Sequence, residues 1–414
     1  MREMKDSGIE WAGVIPNAWN INKGKYFMEL LTRPTLETDE VITCFRDGEV
    51  TLRSKRREEG FTVSLTEAGY QGIEIGDLVV HGMDGFAGSI GISDSRGKAT
   101  PVLNVLDTEQ NKRYMMYLMR TMAYCELFLS LATGIRVRTC DTNWKKLREI
   151  DYILPTIPEQ KAIADFLDNE CDELNTLISD IQSQIEALEE YKRSVITEAV
   201  TKGLDPDVEM RDSCVQWIGM MPTHWDCQRG KYILRYVQKP VRDDDGVITC
   251  FRDGEVTLRS NRREEGFTMA DKEIGYQGIY VGDLVVHGMD GFAGAIGISD
   301  SRGKASPVLN VLDTEQNKRY IMYYLRSMAY NDVFVALATG IRVRSCDLRW
   351  NKLAELLYPL PPVEEQQAIV EHIDSVLERT YAIIADKKQQ IETIEEYKKS
   401  LIFEYVTGKK EVVL

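Results

Sequence analysis

The chain has 414 residues, of which 43% are hydrophobic and 28% charged, with a formal net charge of −15; this is ordinary globular sequence, long enough for about two to four domains. It contains no apolar run of the ~18 residues a membrane span needs, and its start, MREMKDSGIEW, lacks the apolar core of a signal peptide. The eight cysteines form no CxxC and no zinc spacing with histidine, so they are expected to be reduced and mostly buried in a cytoplasmic protein.

Taken in chain order, residues 7–27 read as a capped, aromatic-rich entry, and 28–75 as strand and loop around the charged run Arg53-Ser-Lys-Arg-Arg-Glu-Glu-Gly60. The β-branched runs at 76–83, 87–93 and 101–107 predict strands. Helical spacing follows from Asn111 to about Leu131, with Tyr114, Tyr117, Leu118, Met122, Cys125 and Leu129 on one face and a stop at Gly134. Asp141 is placed to cap a short helix holding Trp144 and Leu147, and 150–155 predicts a last strand.

From Pro158 to Thr201 the pattern becomes one long helix. Leu167, Leu174, Ile181, Leu188 and Val195 recur every seven residues, with Cys171, Ile178 and Ile185 between them, which is a seam for a partner helix. No Gly or Pro interrupts it from Glu159 to Lys202, and at ~1.5 Å per residue the rod would span roughly 65 Å. A second seam, through Ile373, Leu377, Ile384, Ile391, Ile394 and Leu401, runs from Glu364 to Thr407. Lys192, Lys387 and Lys398 interrupt the seams and are expected to fix register at some cost in stability.

Shifting the sequence by 206 positions superimposes it on itself. Between 41–150 and 247–356 there are 85 identities in 110 positions, and VITCFRDGEVTLRS at 41–54 recurs unchanged at 247–260. A unit this long is not a solenoid repeat, whose periods run to about 50 residues. It is a duplicated globular domain plus helix. The expected architecture is α+β: mixed domains at 1–157 and 213–361, separated by two long, antiparallel coiled-coil helices at 158–202 and 362–408, with a linker at 203–212, a tail at 409–414 and pseudo-twofold organisation.

The charge is unevenly spread. Residues 158–212 carry 5 Lys+Arg against 15 Asp+Glu, whereas residues 1–157 carry 20 against 22 and residues 213–361 carry 19 against 18. The acid therefore sits on the rods, and overall pI does not argue against a nucleic-acid partner for the domains.

Traces of catalysis are weak. No Gly-x-Gly-x-x-Gly and no Asn-Pro-Pro-aromatic motif is present, and 95–100 has Ile92 and Ala99 where a phosphate loop needs Gly and Ser or Thr. His81 near Asp84, and His287 near Asp290, have the types for an acid/base pair but no candidate nucleophile beside them; a polar contact or a satisfied buried histidine competes.

Four stretches, each present twice, resemble the specificity (S) subunit of type I restriction–modification systems. They are SGIEWAGVIPNAW with SCVQWIGMMPTHW; ATGIRVRTCDTNWKKL with ATGIRVRSCDLRWNKL; ILPTIPEQKAIADFLD with PLPPVEEQQAIVEHID; and EEYKRSVITEAVTKGL with EEYKKSLIFEYVTGKK. The resemblance covers essentially the whole chain in the family's order. It implies a non-catalytic subunit of a type I site-specific deoxyribonuclease and adenine DNA methyltransferase complex. Two target-recognition domains would each read half of a split site in double-stranded DNA. The helices would set the gap and dock two methyltransferase (M) subunits, with restriction (R) subunits in the full complex. S-adenosylmethionine, ATP and Mg would belong to those partners, with no cofactor on this chain.

For base and phosphate contact the candidate residues are Arg46, Arg53, Lys55, Arg56, Arg57, Tyr70, Gln71, Arg96, Lys98 and Arg136. Their copies are Arg252, Arg259, Arg262, Arg263, Tyr276, Gln277, Arg302, Lys304 and Arg342. A solvated charged face competes for the basic run, and a structural salt bridge for Arg136 and Arg342. Trp11, Trp19 and Trp144 read as core or domain–helix packing.

Members of the family this chain resembles commonly carry two different recognition domains and so read asymmetric split sites. Here the domains differ mainly at 63–68, 119–130 and 142–148, and at Lys55 against Asn261, which predicts a palindromic split target. Three other readings stay open: a specificity subunit of a methylation-only or type II-like system, a tandem ligand-binding scaffold that does not bind DNA and, last, a stand-alone enzyme.

Overall fold

A computed structural model describes residues 2–56, 67–130, 142–262, 274–337 and 348–412. Four helices organise it: α1 (Lys112–Tyr124), α2 (Ile157–Lys202), α3 (Lys318–Tyr330) and α4 (Val363–Val406). The chain divides into two compact units, one of residues 1–181 with 388–414 and one of residues 182–387. Each unit therefore holds one globular domain, half of α2 and half of α4.

In the first unit an antiparallel sheet is built from β1 (Met28–Leu31), β2 (Leu78–His81), β3 (Ile90–Ile92) and β4 (Leu103–Thr108), in the order β1-β4-β2-β3. Leu78, Val80, Ile90 and Leu106 point to one face and pack on Tyr114, Leu118 and Met122 of α1. Val79, Leu103 and Val105 point to the other and pack under the hairpin of Ile42–Cys44 with Val50–Leu52. The sheet is covered on both faces, which is why Leu78-Val-Val80 reads as a continuous apolar run rather than an alternating one. Each such fully buried aliphatic side chain contributes about 1.5–3 kcal/mol.

The first helix begins where the Asn111 side chain accepts the Tyr114 amide at 3.0 Å. It ends earlier than its periodicity predicts. Glu126 takes a left-handed backbone, φ 59°, and a separate turn, Leu127–Ser130, follows. The short helix Trp144–Leu147 is capped by Asn143, whose side chain accepts the Lys146 amide at 3.2 Å; Asp141, the expected cap, lies outside the described residues. Residues 95–100 are not a phosphate loop either, since Gly97–Ala99 is a strand paired with Gln71–Ile73.

The second unit repeats the plan, its sheet running Leu234–Tyr236, Leu309–Thr314, Leu284–His287, Ile296–Ile298 with α3 across it. Asn317 caps α3, and Asp332, φ 54°, marks the same break.

The long helices pair antiparallel inside each unit. In the first, the Phe166 ring lies 4.4 Å from that of Tyr405, and Lys398 donates to the Asn175 side chain at 2.6 Å. In the second, the Lys192 amine sits 4.1 Å over the Tyr381 ring, and Lys387 donates to Gln184. Leu167, Ile181, Ile373, Leu377, Ile384 and Leu401 are buried along the seam. Leu174, Ile178, Ile185, Leu188, Val195, Ile391 and Ile394 are half-buried. The three seam lysines are accommodated by polar or aromatic partners, as register-setting residues are.

Candidate nucleic-acid interface

The domain-to-helix junction explains the most distinctive sequence signal. Gln160 is fully buried at the start of α2; its amide donates to the Pro155 carbonyl at 3.0 Å and to the Gln110 side chain at 2.7 Å, and its carbonyl accepts the Asn111 N–H at 3.0 Å. Glu159 accepts the Trp19 indole N–H at 3.1 Å and pairs with Arg2. The second unit repeats this through Gln366, Glu365 and Trp225. The stretch ILPTIPEQKAIADFLD, through Glu159 and Gln160, and the tryptophans Trp19 and Trp225 thus belong to a structural clasp, not a reading surface.

The basic candidates gather around the tip of the hairpin at 45–49. Gly48 holds that turn at φ 90°. The Arg56 guanidinium stacks 4.2 Å from the Phe45 ring and pairs with Asp47 at 2.7 Å and Glu49 at 3.1 Å. Arg46, two-thirds exposed, pairs with Asp84 at 2.9 Å. Arg53 donates to the Thr43 hydroxyl at 3.2 Å, and Lys55 reaches Asp94 at 3.1 Å and Ser95 at 2.8 Å. In the second unit Arg252 pairs with Asp290, Arg262 with Asp253 and Glu255, and Arg259 with Thr249; Asn261, in place of Lys55, donates to Thr257 instead. These are exposed pairs worth about 0–1 kcal/mol each, so a stronger anion can replace the carboxylate at little cost.

His81 shapes the neighbouring turn. Its Nδ1 accepts the backbone N–H of Asp84 at 2.9 Å and of Met83 at 3.2 Å, and burial holds its pKa below the ordinary value. His287 does the same for Asp290 and Met289. With Nδ1 occupied and Asp84 bound to Arg46, the acid/base reading of this pair gives way to that of a satisfied histidine. The Cys44 and Cys250 thiols, in the adjacent core, are pushed up to about 12 by burial and stay protonated.

Several candidates serve the fold. Gln71 and Gln277 are buried and donate to the carbonyls of Leu103 and Leu309 at 2.7 and 2.6 Å, so neither amide is available to a base edge. Arg96 is bound to Asp39 at 3.2 Å and to Glu74, and Asp39, itself buried, is held below its usual pKa by that guanidinium. Arg302 pairs with Asp245 at 3.1 Å and stacks 4.3 Å from Tyr280. Lys98 pairs with Glu67 at 2.6 Å, Lys304 is likewise engaged, and Tyr70 and Tyr276 are half-buried. Arg57, Arg136, Arg263 and Arg342 lie outside the described residues.

Sequence reasoning missed Arg120 and Arg326. Each sits inside a helix whose other residues looked like plain amphipathic core. Each nevertheless reaches the hairpin tip, donating to the Asp47 and Asp253 carbonyls at 2.5 and 2.6 Å. Only the pairing of helix and hairpin brings them there.

No family model matches the chain. The MjaVIII type I restriction enzyme specificity subunit of Methanocaldococcus jannaschii is 26% identical over 325 residues, 73% of this chain and 72% of that protein. A second protein of that organism, provisionally named the MjaX specificity subunit, is 23% identical over 323 residues, 75% and 72% of the two chains. A chain solved in work on complex assembly and conformational transition of the type I R-M system covers 96% of this one at a TM-score of 0.68 and 11% identity, with 99% of its own length matched. The chain is similar in sequence to two type I specificity subunits over about three quarters of its length, and in fold to a chain of a type I R-M system. Among its described residues no helix is long and apolar enough to cross a membrane, and no group of three His, Cys, Asp or Glu side chains is placed to hold a metal ion.

Proposed function

We propose that this chain is the DNA-reading subunit of a type I restriction–modification complex. The similarity to two specificity subunits over about three quarters of its length carries this reading. Each globular domain reads one half of a bipartite site in double-stranded DNA through the hairpin tip and its flanking basic residues. The paired long helices set the gap and provide the docking surface for two M subunits, with R subunits joining the full complex. S-adenosylmethionine, ATP and Mg act on those partners, and this chain performs no bond-making step.

The two hairpin tips are built alike: Arg46, Asp84 and Arg56 have the same partners at nearly the same distances as Arg252, Asp290 and Arg262. Two equal readers related by a twofold axis across DNA meet the same bases on opposite strands. The target is therefore a palindromic split site, its halves spaced near one helical turn, about 34–36 Å. Single-molecule sequencing for methyladenine, with the chain coexpressed with its methyltransferase subunits, tests this. The expected result is one palindromic motif with an unread centre. An asymmetric motif overturns the palindrome, and no methylation dependent on this chain overturns the whole reading.

A further inference from the structure

The cations of the hairpin rim are almost all neutralised by carboxylates. A second set, where each domain meets a long helix, is not. Arg326 donates through Nε to the Tyr330 hydroxyl at 2.8 Å and through Nη2 to the Asp253 carbonyl at 2.6 Å, both neutral acceptors. Arg193, exposed on α2, lies 5.6 Å over the face of the same Tyr330 ring. In the first unit Arg120 lies 3.2 Å from the Tyr124 hydroxyl and donates to the Asp47 carbonyl, and Lys399, exposed on α4, sits 5.5 Å over the Tyr124 ring. Among the described residues no carboxylate pairs with Arg120, Arg193, Arg326 or Lys399, and the buried Nε of Arg120 has no hydrogen-bond partner.

This arrangement is specified by the chain. A side chain at Gly48 would place a carbon 2.6 Å from an Arg120 terminal nitrogen, so the glycine is what lets the guanidinium rest on the turn; Gly254 does the same for Arg326. In the second unit Arg193, Arg252, Arg326 and Tyr330 line a cavity of about 450 Å³ together with Lys192 and the carboxylates of Glu189, Asp253 and Asp332, of which Glu189 is taken up by Lys192 and Asp253 by Arg262. Arg252 belongs to the rim already described, so cavity and rim are continuous. Guanidinium and ammonium groups that no carboxylate pairs with, pre-positioned by phenols and backbone carbonyls, have the chemistry to take an anion. The planar fork of Arg suits phosphate oxygens.

We infer that this domain–helix cleft binds the sugar–phosphate backbone of the DNA whose bases the neighbouring hairpin reads, with Arg326 and Arg193 as phosphate ligands in one unit and Arg120 and Lys399 in the other. The inference rests on the proposed DNA-reading function. It assigns to the long helices a direct contact with the duplex. Such contacts carry affinity without sequence information.

The test is the salt dependence of duplex binding by the full chain together with its methyltransferase subunits, on the methylated-motif sequence and on a scrambled one. Arg193→Gln with Lys399→Gln removes two exposed helix cations without touching either domain core; adding Arg120→Gln and Arg326→Gln completes the set. Each lost phosphate contact lowers the slope of log K against log salt by about 0.9. The helix pair is expected to lose about 2 in slope and the quadruple variant about 3–4. Both sequences should weaken by the same factor, the methylation motif should stay unchanged, and Arg120→Lys with Arg326→Lys should restore the slope. A parent-like slope in the helix pair overturns the cleft while leaving the DNA reading intact. So does loss of methyltransferase association with an unchanged slope, which would assign the cations to a protein partner. A parent that binds neither duplex in a salt-dependent way sinks the DNA reading itself.

Discussion

The Tyr114 hydroxyl lies 3.2 Å from the carbonyl oxygen of Val406, 292 positions away, and 3.0 Å from that of Ile153. The phenol is fully buried, and burial drives its pKa well above the ordinary value, so it remains a donor at any physiological pH. It ties the last turn of α4 to the domain's final strand. Tyr320 ties the last turn of α2, at Val200, to Pro359 in the other unit, at 3.1 and 3.0 Å.

Tyr114→Phe removes the one hydrogen that these two carbonyls share and leaves a buried acceptor short of a donor, at a cost of about 1–3 kcal/mol. Differential scanning calorimetry should show the Tm of the first unit falling by roughly 2–4 °C per kcal/mol, with the transition of the second unit unmoved.

Gln160→Leu should be worse than its conservative volume suggests. It leaves the Asn111 N–H and the Pro155 carbonyl unpaired inside the clasp, about 1–3 kcal/mol for each such group. Denaturant unfolding measures the loss, and Gln366→Leu should reproduce it in the other unit. An effect below that of a surface substitution would refute the clasp.

Lys398 is held below its ordinary pKa by burial in the seam. The folded state binds this proton less well than the unfolded chain, so the charged amine costs stability below the folded pKa. That cost fades as pH rises through the folded pKa toward the unfolded value of 10.5. Lys398→Met should raise the Tm at pH 7, and the gain should shrink as the pH approaches that of the free amine. A gain independent of pH would contradict the assignment.

At Gly91 and Gly297 an added Cβ would fall well inside contact distance of the carbonyl oxygens of Gly48 and Gly254, which are backbone atoms and cannot swing aside. Gly91→Ala should therefore lift the hairpin from the sheet and cost more than the ~1 kcal/mol of a typical point mutation. Circular dichroism melting would show the first unit destabilised, and limited proteolysis should cut first between β1 and β2.

The long helices were legible because their signals are local: α2 runs Ile157–Lys202 against an expectation of Pro158–Thr201. The strands at 78–81, 90–92 and 103–108 were legible for the same reason. What failed depended on a third dimension. Asn111 to Leu131 looked like one helix because apolar spacing continues past Glu126, whose left-handed backbone no periodicity reports. Gln71 looked like a base reader because type alone cannot tell an exposed amide from one sunk against the Leu103 carbonyl. Arg120 was invisible for the converse reason, being a lone cation in an apolar helix that becomes notable only beside the Gly48 turn.

The division of the chain sets an order of assembly on the ribosome. The core of the first unit includes Leu401, Ile402 and Val406, and Tyr114 waits for the Val406 carbonyl. At about 5–20 residues per second, residues 2–181 spend tens of seconds without the segment that closes their core. Among the described residues, the buried core of the second unit lies wholly between Ile196 and Leu377 and draws on nothing synthesised later. The domain made second is thus the first that can be completed, and the one made first stays exposed until residues 388–412 emerge, which gives chaperones and proteases longest to reach it.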